Sequence, residues 1–142
     1  MQAPARHRRA LLYDMTSPSP APAPAVLDLV QRAARACVDN RAERVVILDL
    51  HGVSDMTDYF VIASGTSDTH VRALAEHVME ELAKVGQRPN HQEGLTKGRW
   101  VLLDYVDFVV HLFHPTLREF YQLERLWSDA APVPVSAPEA GA

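Results

Sequence analysis

At 142 residues and 15.8 kDa the chain has room for one domain built around a single hydrophobic core. Its 47% apolar and 23% charged residues exclude wholesale disorder, and no apolar run approaches the ~20 residues of a membrane-spanning helix. The net charge of −4 is uneven, because residues 25–129 carry eleven Lys/Arg against sixteen Asp/Glu while the first 24 residues are net basic. An acidic domain is unsuited to DNA binding through phosphates and suited to a basic protein partner. The single cysteine, Cys37, excludes an internal disulfide and fits a reducing compartment.

Proline placement divides the chain into three expected parts. Residues 1–24 end in an alternating Pro/Ala stretch from Ser17 to Pro24, which favours extended polyproline II and reads as a disordered arm. Residues 25–129 are the folded domain, and 130–142, with Pro132, Pro134 and Pro138, read as a flexible tail. Residues 1–14 are either an extension upstream of a start at Met15 or a targeting segment carrying Arg6, Arg8 and Arg9. No apolar stretch of secretory length follows these arginines.

In chain order, Leu27, Val30, Ala34, Cys37 and Val38 share helical spacing and predict a helix over 26–40. The β-branched run within 44–50 predicts a buried strand, and Asp49, Gly52, Ser54 and Asp55 supply turn chemistry after it. A second strand is predicted over 59–63. Ser67 or Asp68 then caps a long helix whose stripe runs Val71, Leu74, Ala75, Val78, Met79, Leu82, Val85. Residues 89–93 fit a short edge strand, where proline is tolerated. Strands over 100–105 and 108–113 have a very short connection and predict a hairpin. Pro115 opens a helical stretch to Trp127 with a break near 121–123. These elements make an α/β fold with a mixed sheet flanked by helices.

The chain offers little reaction chemistry, and no cofactor or metal is expected. His70 and His77 are separated by seven residues, a rise of about 10.5 Å on a helix and too far for one ion. His111 and His114 fall on opposite faces of a strand. Cys37 lies on an apolar helix face and reads as core. The Ser64-Gly65-Thr66-Ser67-Asp68 turn opens a helix, where free N–H groups can hold an anion, but no Asp-x-Asp follows to carry magnesium. Two acidic and aromatic clusters are the stronger feature: Asp55, Thr57, Asp58 and Tyr59, and Asp104, Tyr105 and Asp107 next to Trp100. They fit either a partner surface rich in Lys and Arg, or turn caps beside core aromatics. The same face is a candidate for a homodimer that opens before binding.

Four blocks then resemble the Iojap or ribosomal silencing factor family, in the family's order. They are Val46 to Leu50 continuing through Thr57 to Ser67, Glu93-Gly94 with Gly98 to Tyr105, Val109 to Phe113, and Arg118 to Trp127. The resemblance spans about residues 26–129. It implies a nucleotidyltransferase-like topology without the catalytic carboxylate pair, and a protein that is not an enzyme. It further implies a cytoplasmic translational repressor that binds the large ribosomal subunit through ribosomal protein fourteen and sterically blocks joining of the small subunit. Members are also linked to large-subunit maturation, and organellar relatives exist. Carried onto this chain, the partner face comprises Trp100, Leu102, Asp104, Tyr105 and Asp107, with Asp58 and Tyr59 as neighbours. Where the family commonly has glycine inside the hairpin, this chain has Val106, so the turn is either of another type or strained.

Overall fold

The computed structural model describes residues 25–121 and 128–136. Helix α1 spans Val26–Asp39, strand β1 Glu43–Asp49, β2 Tyr59–Ser64, helix α2 Asp68–Ala83 and β3 His91–Glu93. Strand β4 spans Trp100–Asp104, β5 Phe108–Phe113, helix α3 Pro115–Tyr121 and β6 Ala131–Val133. One six-stranded sheet runs in the order β3-β4-β5-β2-β1-β6. Its pairs are antiparallel except β2 with β5, which run parallel in register from Tyr59 opposite Phe108 to Ser64 opposite Phe113. A parallel pair needs a long crossover, and α2 with the β3–β4 hairpin supplies it.

Helices α1 and α2 cover one face of the sheet. Helix α1 contributes a buried stripe of small residues with Leu29 and Val30, including Ala33, Ala34 and Cys37, which lets it approach closely. Burial pushes the Cys37 thiol up to about 12, as expected of a core cysteine. Helix α2 buries Val71, Leu74, Ala75, Val78 and Leu82, and Ser67 is its N-cap, with Oγ accepting the His70 N–H at 3.0 Å. Facing these helices are Ile47, Val61, Ala63, Val101, Leu103, Phe108, Val110 and Leu112. Period-two alternation sends the intervening residues to the opposite face, where a smaller cluster gathers Leu48, Leu50, Ile62, Phe113 and Ala130 with Phe60, Trp100 and Leu117 packed against it.

One expectation is corrected here, and one alternative left open by the sequence is decided. Part of the tail expected to be flexible is ordered: Ala131–Val133 pairs antiparallel with β1, with Ile47 opposite Val133 and Leu48 opposite Pro132. Proline is tolerated on this outermost strand because one side of it needs no ladder hydrogen bonds. The hairpin turn keeps the left-handed backbone of a glycine, with Val106 at φ 72°. The Asp107 N–H donates to the Tyr105 carbonyl at 2.9 Å across Val106, a tight γ-type turn. The expected break near 121–123 in the last helical stretch lies largely outside the described residues.

Candidate functional site

The face opposite the helices is built from matched rows of side chains. Leu102 on β4, His111 on β5 and Ile62 on β2 form one row, because Leu102 pairs with His111 and His111 with Ile62. Asp104, Val109 and Phe60 form the next, and Trp100 and Phe113 begin a third. Gly94 (φ +82°) fixes the Trp100 end, because a Cβ there would run into the Trp100 carbonyl. Trp100 lies over Phe113 with ring centroids 4.9 Å apart, and its Nε1–H donates to His111 Nδ1 at 3.2 Å. Phe60 meets the His111 ring edge-on at 4.6 Å.

Between these rows and the loop after β1 lies a pocket of about 240 Å³, lined by Met56, Phe60, Leu102, Asp104, Val109 and His111 among others. Met56 is 84% exposed at its edge. His111 is only 6% exposed, and burial pushes its pKa down to about 4, so the ring is neutral at physiological pH. With Nδ1 accepting from Trp100, the ring proton sits on Nε2, which has no hydrogen-bond partner among the described residues.

Aspartates gather at one end of the sheet. The β4–β5 turn and the loop before β2 are stitched together, with the Asp58 N–H donating to the Asp107 carbonyl at 2.9 Å and Thr57 Oγ1 to the Val106 carbonyl at 3.1 Å. His51 lies between Asp49, whose Oδ1 is 2.6 Å from its Nδ1, and Asp58, 3.5 Å from its Nε2. The His51 backbone N–H, with the ring assisting, holds the Asp49 carboxyl below its ordinary range. Tyr59 is shifted upward by burial first and then by the Asp49 and Asp58 charges, which registers the negative potential here. Neither residues 45–71 nor residues 100–117, which contribute most of this face, contain a lysine or arginine, yet Asp49, Asp55, Asp58, Asp104 and Asp107 all fall within them.

The residues expected from sequence divide accordingly. Trp100, Leu102 and Asp104 share the open face, and Asp107 and Asp58 lie at its acidic end. Tyr105 and Tyr59 do not join them. Tyr105 is 7% exposed, stacks on Phe108 at 4.9 Å within the helix-covered core, and its hydroxyl lacks a partner among the described residues. Tyr59 is half-buried and packs against the same core. Strand parity carries the correction, since 105 falls out of step with 100, 102 and 104, as 59 does with 60. The same parity singles out Phe60, Val109 and His111, which sequence reasoning had not placed on this face.

The Gly65 turn is already occupied by the chain itself. The Thr66 N–H donates to His70 Nδ1 at 2.9 Å, His70 Nε2 lies 2.8 Å from the Asn40 carbonyl, and Ser67 takes the His70 N–H. No group of His, Cys, Asp or Glu suited to a metal ion occurs among the described residues, and no described helix is long and apolar enough to cross a membrane.

Fold and site together define an α/β protein with an acid-rimmed, largely apolar sheet face. The family described as Ribosomal silencing factor during starvation matches residues 23–141. Ribosomal silencing factor RsfS of Bacillus subtilis is 43% identical over 102 residues, covering 72% of this chain and 86% of that protein. A crystal structure of a Chromobacterium violaceum protein superposes with a TM-score of 0.72 at 28% identity, covering 82% of this chain and 92% of that one. The mouse protein named Mitochondrial assembly of ribosomal large subunit protein 1 is 37% identical over 75 residues, 51% of this chain and 33% of its own. The chain belongs to the ribosomal silencing factor family.

Proposed function

We propose that this protein is a cytoplasmic translational repressor that docks on the large ribosomal subunit through ribosomal protein fourteen and sterically blocks joining of the small subunit. The observation that carries the reading is an apolar sheet face with Asp58, Asp104 and Asp107 at one end, built largely from two segments free of lysine and arginine. Such a face complements a basic protein and repels bare RNA phosphates. Trp100, Leu102, Asp104, Asp107 and Asp58 form the contact surface with Phe60, Val109 and His111, and Tyr105 and Tyr59 support it from behind. Kinship of the fold to nucleotidyltransferases, without their carboxylate pair, belongs to the same reading. A homodimer formed through this face would compete with docking.

A steric block needs no reacting group. It needs a complex that outlasts encounters between subunits, so slow dissociation is the functional quantity. Sucrose-gradient sedimentation of large subunits with the protein, with and without small subunits, tests this. Co-migration with large subunits and fewer joined ribosomes are expected, and the Asp104→Arg/Asp107→Arg pair abolishes both while melting within a few degrees of wild type. Wild-type protein remaining at the top of the gradient at low salt would sink the proposal. A second reading, large-subunit maturation, draws on the mouse relative's name. It predicts immature large subunits in a deletion strain even in rich medium.

A further inference from the structure

The pocket beside His111 is too small for most ligands and well suited to a side chain. At about 240 Å³ it falls below the roughly 300–1,000 Å³ typical of small-molecule sites. Its walls are chiefly Phe60, Leu102, Val109 and Met56, with Asp104 at the rim. His111 lines the same pocket, more than nine-tenths buried, its ring fixed by the bond from Trp100 to Nδ1. An apolar pocket with a negative rim is the arrangement of an interface hot spot.

We propose that the His111 pocket receives one apolar side chain of a basic partner protein. The inference rests on the open face being the docking surface, and adds which position anchors the partner and what the anchor looks like. The occupant is an aliphatic or methionine side chain flanked by lysine or arginine. Aspartates 104, 107 and 58 meet the flanking charges, while the apolar walls of the pocket reject a polar anchor. A nucleobase fits less well, because its phosphates would meet this carboxylate rim.

The test measures equilibrium binding of full-length variants to purified large subunits, with thermal melting as a control. Val109→Phe fills the pocket, and Met56→Lys places a charge at its mouth on a side chain 84% exposed, where folding is indifferent. Each is expected to weaken binding about tenfold or more. If Val109→Phe and Met56→Lys bind like wild type while Asp104→Arg/Asp107→Arg does not, the pocket is unused and the docking face stands. If all of these bind like wild type, the docking face itself is wrong.

Discussion

Val106 occupies a backbone conformation that a β-branched residue resists, at φ 72°. Its neighbours hold it there: its N–H donates to Asp104 Oδ1 at 2.8 Å, and Thr57 and Asp58 bind the Val106 and Asp107 carbonyls. Holding a non-glycine residue in the left-handed region costs about 1–2 kcal/mol, while glycine's extra freedom in the unfolded chain costs about 0.5–1 kcal/mol. Val106→Gly is therefore expected to stabilise the fold by about 0.5–1 kcal/mol and raise the melting temperature by a few degrees. A lower melting temperature would mean that the half-exposed valine side chain contributes more packing than its backbone strain removes. His111 sets a second expectation at this scale. Burial lowers its pKa from 6.5 to about 4, so between those values the unfolded chain binds more protons and stability rises with pH. The protein therefore loses stability as pH falls from about 6.5 toward 4, by on the order of 3 kcal/mol from this group. Denaturant melts at pH 7.5 and 5 check it, since a His111→Gln variant should lose less than wild type over that interval. Trp100→Ala is a poorer probe of docking than the aspartate pair, because it strips His111 Nδ1 of its donor and Phe113 of its packing.

Among the elements, β6 joins regions that are distant in sequence. It pairs with β1, and the residues after it clasp α1, with Gln31 Nε2 donating to the Pro134 carbonyl at 2.9 Å and the Ser136 N–H to Gln31 Oε1 at 2.8 Å. Arg35 adds a bond to Ser136 Oγ at 2.6 Å. Without this segment β1 becomes an open edge, and unpaired edges invite pairing with other chains. Deleting residues 131–142 is expected to lower stability by about 1–2 kcal/mol and to speed amide exchange along the outer side of β1. Unchanged exchange in β1 would show that the clasp adds nothing. The sequence concealed this strand because Pro132 and Pro134 are strand breakers everywhere except at an edge, and edge position is a property of the whole sheet. Helix α2 was legible because its apolar stripe and Ser67 cap are local signals, and the β4–β5 hairpin because two apolar runs are joined by a very short connection. The open face was half legible. Trp100, Leu102 and Asp104 follow from strand alternation, whereas the burial of Tyr105 and the place of Val109 and His111 depend on which face the helices cover.

At the scale of the whole molecule, charge and shape give docking its expected dependence on salt. The net charge is −4, and Asp58, Asp104 and Asp107 at one end of an otherwise apolar face, in segments without lysine or arginine, give that face a local negative field. An RNA-rich subunit repels such a face except where a basic protein stands exposed, which confines productive encounters to few sites. Under the proposed function, an assay with isolated ribosomal protein fourteen, free of RNA, would remove that repulsion and leave the attraction alone. Exposed charges are screened over about 10 Å at 0.1 M ionic strength, so the association rate should fall about tenfold between 0.03 and 0.3 M salt. Dissociation, set by the apolar rows and the pocket, should change much less over the same range. Stopped-flow measurements separate the two rates. The Asp104→Arg/Asp107→Arg pair should flatten the salt dependence of association as well as weaken binding. An association rate insensitive to salt in the wild-type protein would mean that the aspartates do not steer the encounter, leaving the apolar rows to account for recognition.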